Sequence, residues 1–158
     1  MATALHNLSE YDAAAVPSGK GRRFVIVVAE WNAQVTNAMA EGAIKTLKQY
    51  DVADSDIIIK HVPGTFELTY AAAKCLRDTA VYCDAVICLG CVIQGETRHF
   101  DFICEGVANG LSALNAEGKI PVIFGVLTTD NLQQALERSG GKLGNKGIEA
   151  AVTALKMI

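Results

Sequence analysis

The residues AVICLGCVIQGETRHFD, Ala85 to Asp101, decide how this chain folds. They begin with an uninterrupted apolar run, AVICLGCVI, with no polar residue at alternate positions. A strand with one wet face alternates; a short continuous run marks a strand covered on both faces. A glycine and a hydroxyl residue then mark a turn. From about Thr97 to Glu117 the apolar residues recur at helical spacing, with Ile103, Val107, Leu111 and Leu114 on one stripe. Gly118 follows as a suitable helix terminator. A doubly buried strand running into an amphipathic helix is the building unit of a parallel sheet.

The unit repeats on both sides of this stretch. RRFVIVVA, Arg22 to Ala29, is a second valine-rich run. It is followed from Ala33 to Tyr50 by Val35, Met39, Ala43, Leu47 and Tyr50 at helical spacing, with Asn32 where an N-cap belongs. DIIIKHV (Asp56 to Val62) reads as a strand and TFELTYAAAKCL (Thr65 to Leu76) as its helix. PVIFGVL (Pro121 to Leu127) is the fourth strand, and Asp130 with Gln133 has capping-box spacing at the next helix. GGKLGNKG (Gly140 to Gly147) is a glycine-rich turn, after which Asn145 caps a last helix with Ile148, Ala151, Val152 and Leu155 inward. The expected fold is α/β: a three-layer sandwich in which helices flank a four-stranded parallel sheet. Residues 1–20 have weak periodicity and read as an N-terminal arm that needs a partner surface to be ordered; residues 21–158 read as a single domain.

Composition narrows the function. The chain has 158 residues, 51% hydrophobic and 20% charged, with a net charge of −3. That balance is globular and offers no general basic surface to nucleic acid. No apolar run approaches the roughly 18 residues of a membrane span, and no secretory leader pattern opens the chain. A cytoplasmic protein is expected. Five cysteines, an odd number, do not suggest a disulfide framework. Cys88 and Cys91 spell C-x-x-C, but three residues apart in a strand they point to opposite faces and do not easily chelate one metal, and no second C-x-x-C exists. Buried free thiols, and no metal, are expected.

In a parallel α/β sheet, ligands bind beyond the carboxyl ends of the strands. There the chain places EWN, PGTFE, IQGETRH and TTDN. Trp31 could be core packing or a flat platform for a heteroaromatic ring. Thr65 and Glu67 could be a cap and a first-turn acid, or groups that bind donor nitrogens of a ligand. GCVIQGET (Gly90 to Thr97) fits a P-loop except that Glu96 stands where the phosphate-binding lysine belongs. An acid there opposes a triphosphate, but helix-start N–H groups and the Thr97 hydroxyl suffice for a single phosphate. His99 lies in the first helical turn beside them, where an imidazole can move protons or simply face solvent. Arg138 ends the fourth helix, as dipole electrostatics favour; Lys146 opens the last helix, where a cation is disfavoured. The Arg138 position is explained without function; the Lys146 position hints at one.

VPGTFEL, GCVIQGETRHFDFI, PVIFGVLT, QALERSGG and GNKGIEAA together resemble the lumazine synthase family of riboflavin biosynthesis, in order and at the family's spacing, from about Phe24 to the C-terminus. The resemblance implies a flavodoxin-like topology. It also implies condensation of 5-amino-6-(D-ribitylamino)uracil with (S)-3,4-dihydroxy-2-butanone 4-phosphate through a Schiff base, phosphate elimination and ring closure. No metal or organic cofactor takes part in that reaction. Carried across, Trp31 stacks on the pyrimidine, and Thr65, Phe66 and Glu67 bind the ribityl chain and ring. Cys91, Val92 and Ile93 lie beside the pyrimidine, while Phe124 and Lys146 are further substrate contacts. Glu96, through its backbone N–H, binds phosphate with Thr97 and Arg138, and His99 transfers protons. The family forms homopentamers with sites between subunits, so that Phe124 would face an adjacent chain's site. Some members build a sixty-subunit icosahedral shell, which the compact GGKLGNKG turn favours here. Association with riboflavin synthase is a further partner the likeness suggests. The rival reading is a non-catalytic flavin- or lumazine-binding protein of the same fold, against which His99, Arg138 and Lys146 argue. A flavodoxin-like electron carrier is disfavoured because EWNAQ is not a phosphate loop.

Overall fold

A computed structural model describes residues 7–78 and 82–158. Of the expected N-terminal arm, residues 1–6 lie outside the described residues. The sheet holds β1 (Phe24–Ala29), β2 (Ile57–Val62), β3 (Ala85–Ile93) and β4 (Val122–Thr129), all parallel, in the order β2-β1-β3-β4. This is the α/β three-layer fold expected from the valine-rich runs. β4 extends two residues past the apolar run, because Thr128 and Thr129 continue the pairing with Val92 and Ile93.

Period-two alternation divides β1 between two cores. Phe24, Ile26 and Val28 point to one face; Val25, Val27 and Ala29 point to the other; all six are fully buried. The first face is covered by α1 (Ala33–Gln49) and α5 (Lys146–Lys156), through Val35, Met39, Leu47, Ala151 and Leu155. The second is covered by α2 (Leu68–Arg77) and α3 (His99–Ala116), through Leu68, Ala72, Val107 and Leu111. Each such valine or leucine contributes about 1.5–3 kcal/mol when fully buried. The same alternation separates the C-x-x-C thiols: Cys88 belongs to the α2/α3 core and Cys91 to the α1/α5 core. All five cysteines are free.

α4 (Leu132–Glu137) follows β4, and a two-stranded antiparallel hairpin, β5 (Ser139–Gly141) with β6 (Gly144–Asn145), leads into α5. The capping box at α4 is displaced by one residue from the expected Asp130/Gln133. Asn131 accepts the Gln134 N–H at 2.9 Å, and the Gln134 amide oxygen accepts the Asp130 N–H at 3.0 Å. Asn145 caps α5 as its position requires, accepting the Gly147 N–H at 2.8 Å.

Residues 7–20 rest on the α1/α5 side. The Leu8 N–H donates to Leu143 O at 2.7 Å, and Val16 joins that core. Among the described residues no helix is long and apolar enough to cross a membrane.

Candidate active site

Three strand-to-helix turns meet at the carboxyl edge of the sheet and enclose a cleft of about 750 Å³. From the first turn come Trp31 and Asn32; from the second, Gly64, Thr65, Phe66 and Glu67. From β3 and its turn come Cys91, Val92, Ile93, Gly95 and Thr97, and from α3 come His99, Phe100 and Ile103. Backbone pairing carries the β1–β2 register into the turns. The Glu30 N–H donates to Val62 O at 2.8 Å and the Trp31 N–H to Pro63 O at 3.1 Å, which sets the indole opposite Gly64–Glu67. Trp31 is 72% exposed and Phe66 54% exposed, so neither ring is core packing.

Two polar side chains clamp the end of β3. Thr65 is buried, and its hydroxyl accepts the Cys91 N–H at 3.2 Å and lies 3.4 Å from the Cys91 carbonyl. It does not cap α2: Thr65–Glu67 form a short 3-10 turn ahead of that helix, and Glu67 holds the N-cap position without a side-chain bond. Asn32 likewise does not cap α1 with its side chain. It adopts a left-handed conformation (φ 61°) and its amide donates to Cys91 O at 3.0 Å. Both turns are therefore fastened to one residue of β3, Cys91. Burial pushes the Cys91 thiol up to about 11. The protonated thiol is thus an apolar wall of the cleft at neutral pH, not a nucleophile.

The turn Gly95–Arg98 is the part of the site with open backbone donors. Among the described residues, no acceptor is found for the N–H groups of Gly95, Glu96, Thr97 and Arg98. Four such donors at the start of an eighteen-residue helix are the arrangement that binds a phosphate. The Thr97 hydroxyl accepts the His99 N–H at 3.4 Å, which keeps the imidazole next to that turn. Glu96 is exposed and is not among the residues that line the cleft, although its neighbours Gly95 and Thr97 are.

The remaining candidates lie elsewhere on the chain. Phe124 and Lys146 border a separate groove of about 880 Å³, between the β4 edge and α5, together with Tyr11 and Asn115. The Lys146 side chain is only 13% exposed, and its ammonium pairs with Glu149 at 2.8 Å. Arg138 ends α4, where its guanidinium donates to Gln134 O at 3.0 Å, the dipole-favoured contact. None of these three lines the strand-end cleft, and that cleft contains no lysine or arginine.

Residues 21–158 match the family model described as 6,7-dimethyl-8-ribityllumazine synthase. The chain belongs to that family. It is similar to the 6,7-dimethyl-8-ribityllumazine synthase of Porphyromonas gingivalis, with 59% identity over 99% of this chain and 96% of the relative. The enzymes of the same name from Phocaeicola vulgatus and Flavobacterium johnsoniae are 52% and 55% identical, over 100% and 99% of this chain and 93% and 82% of theirs. This lumazine synthase family member is an enzyme of riboflavin biosynthesis; nothing favours the non-catalytic alternative. Its cleft also uses residues that motif reading passed over. Asn32, Phe100 and Ile103 line it. Phe100 and Ile103 were hidden among the apolar residues of the helix. The signal at Asn32 was a residue tolerant of left-handed backbone directly after an aromatic at a strand end.

Proposed function

We propose that the chain condenses 5-amino-6-(D-ribitylamino)uracil with (S)-3,4-dihydroxy-2-butanone 4-phosphate to 6,7-dimethyl-8-ribityllumazine, releasing phosphate and water. The observation that carries this reading is the run of four unpaired N–H groups, Gly95–Arg98, beside His99 and across from the exposed Trp31 and Phe66. A ring substrate stacks on Trp31 and lies against Cys91, Val92 and Ile93, with Thr65, Phe66 and Glu67 along its ribityl chain. The phosphate of the second substrate sits on the backbone of Glu96 and Thr97. The ring amine attacks the ketone and water leaves. The carbon–oxygen bond to phosphate then breaks as a proton is lost from the adjacent carbon, and His99 moves the protons of these steps. Ring closure with loss of water completes the lumazine. Much of the acceleration comes from holding two substrates in register.

A phosphate dianion in this cleft needs a cation that the strand-end cleft of a single chain does not hold. Oligomerisation, general in the family, supports a shared site. Trp31, Thr97 and His99 of one subunit would be completed by Phe124, Arg138 and Lys146 of its neighbour, with Arg138 on the phosphate. We extend this to a homopentamer, and to a sixty-subunit shell whose turns are the Ser139–Asn145 hairpins. We assign residues 1–20 as an arm that adds subunit contacts and residues 21–158 as the catalytic domain. The chain works without metal or organic cofactor in the cytoplasm, where riboflavin synthase takes up the product.

The deciding experiment mixes the purified protein with both substrates and follows lumazine absorbance and phosphate release. Stoichiometric appearance of both is expected. Tight lumazine binding with neither signal would support the binding-protein reading instead. Mass measurement of the assembly tests the shell, which a lone pentamer would overturn.

A further inference from the structure

Arg138 closes α4 and Lys146 opens α5; only the β5–β6 hairpin lies between them. Their backbones are joined directly, with the Lys146 N–H donating to Arg138 O at 2.8 Å. At the centre of this junction is Asn145, 7% exposed. Its amide nitrogen donates to Ala38 O of α1 at 2.9 Å and to Ser139 O at 3.2 Å. Its amide oxygen accepts the Gly147 N–H at 2.8 Å, and its own N–H donates to Ser9 Oγ at 3.0 Å. Both hydrogens and the oxygen of the side chain are used.

Capping α5 requires only the oxygen, which an aspartate or serine would also supply. The two donated bonds go beyond capping. One goes to the residue after Arg138 and the other to the helix that carries the junction. The surroundings are shaped to admit this amide. A Cβ on Gly42 of α1 would lie 2.7 Å from the Asn145 amide nitrogen, and a Cβ on Gly147 would collide with the Met39 carbonyl. Buried polar groups that are fully satisfied fix one arrangement of the elements they join.

We infer that Asn145 is a positioning residue for Arg138 and Lys146. By tying the hairpin to α1 it sets the separation and aim of the two cations that reach the substrates. The inference rests on the assignment of those cations to substrate binding. It also gives the arm a part in the site, since Ser9 holds the Asn145 backbone.

The test is a double-mutant cycle read in steady-state kinetics. Asn145→Asp keeps the capping oxygen but sets a carboxylate against two carbonyls. It is expected to raise the KM of the phosphorylated substrate about tenfold with kcat within about threefold, and this rise should shrink below about twofold when Arg138 is already alanine. Equal factors in both backgrounds would make Asn145 merely structural and overturn the inference. An unchanged KM in Arg138→Ala alone would instead overturn the phosphate assignment beneath it. If Asn145→Asp does not fold, Ser9→Ala replaces it, with an expected rise of about threefold that again vanishes in the Arg138→Ala background. No rise, or a rise of the same size in both backgrounds, would count against the inference.

Discussion

The two ends of one sheet are built on opposite terms. At the amino ends of β1 and β3, the charged side chains of Arg22, Arg23 and Asp84 all have partners. Asp84 accepts the Arg22 guanidinium at 3.0 Å, the Arg23 N–H at 2.8 Å and the Tyr82 hydroxyl at 3.0 Å, while Arg23 pairs with Asp56 at 3.2 Å. At the carboxyl ends of the same strands, four N–H groups of the Gly95–Arg98 turn have no acceptor, Trp31 stands in solvent, and His99 and Glu67 form no ion pair among the described residues. A saturated end serves the fold alone. An end with open donors is finished by what binds there.

The sharpest way to break this contrast is to remove the cation we place on the bound phosphate. Arg138→Ala should lower kcat/KM about 30- to 5,000-fold, chiefly through the apparent affinity for the phosphorylated substrate, since truncating one partner of a desolvated charge pair costs about 2–5 kcal/mol. Its melting temperature should hardly change, because the helix-end contact it loses is a single bond to Gln134 O. Unchanged affinity would return Arg138 to a helix-terminating role. His99→Ala comes next. It should slow kcat by about 10²-fold without abolishing turnover, because positioning persists when one proton carrier is lost. Zero turnover in a folded variant would mean that His99 does more than move protons.

Thr65→Val tests the border between the two regimes. It removes the hydroxyl that holds the Cys91 peptide, leaving a buried N–H unpaired at a cost of about 1–3 kcal/mol. Stability should fall by that amount, and kcat/KM should fall about 3- to 10-fold as Val92 and Ile93 loosen against the ring substrate. A loss of stability with no kinetic change would make the clamp purely structural.

What the sequence disclosed follows the range of the interactions involved. The four strands and five helices were legible because burial repeats at fixed local spacing, as Val25 and Val27 against Phe24 and Ile26 show. The capping box at α4 was misplaced by one residue because Asp130-Asn131 and Gln133-Gln134 offer the same chemistry twice, and only the backbone chooses. Asn32 stands at the N-cap position as its sequence place suggests, and Thr65 offers a cap, but neither side chain makes that bond, because both are drawn to Cys91, 59 and 26 residues away. Cleft and hairpin candidates could be named from motifs, but no local pattern says that Arg138 and Lys146 stay out of the cleft that holds His99. That depends on where α4 and α5 pack.

The mildest kinetic effect is expected at the saturated end. Burial alone would push the Asp84 carboxyl up, but the Arg23 N–H, the Tyr82 hydroxyl and the Arg22 guanidinium outweigh it and hold it below the usual carboxylate range. A group whose pKa is lower folded than unfolded stabilises the protein fully above its unfolded value, near pH 4, and loses that contribution as pH falls through its folded value. Asp84→Asn should therefore destabilise the protein at pH 7 by about 1–3 kcal/mol. Denaturation at pH 7, 5 and 3 should show the gap from the parent protein intact at the first two and narrowing at the third. Both KM values and kcat should stay within about twofold, because the substitution lies at the other end of the strands from every open donor. A gap of equal size at pH 3 would place its origin in packing instead of charge. A large kinetic loss would mean that the two ends of the sheet are not separate in energy as they are in structure.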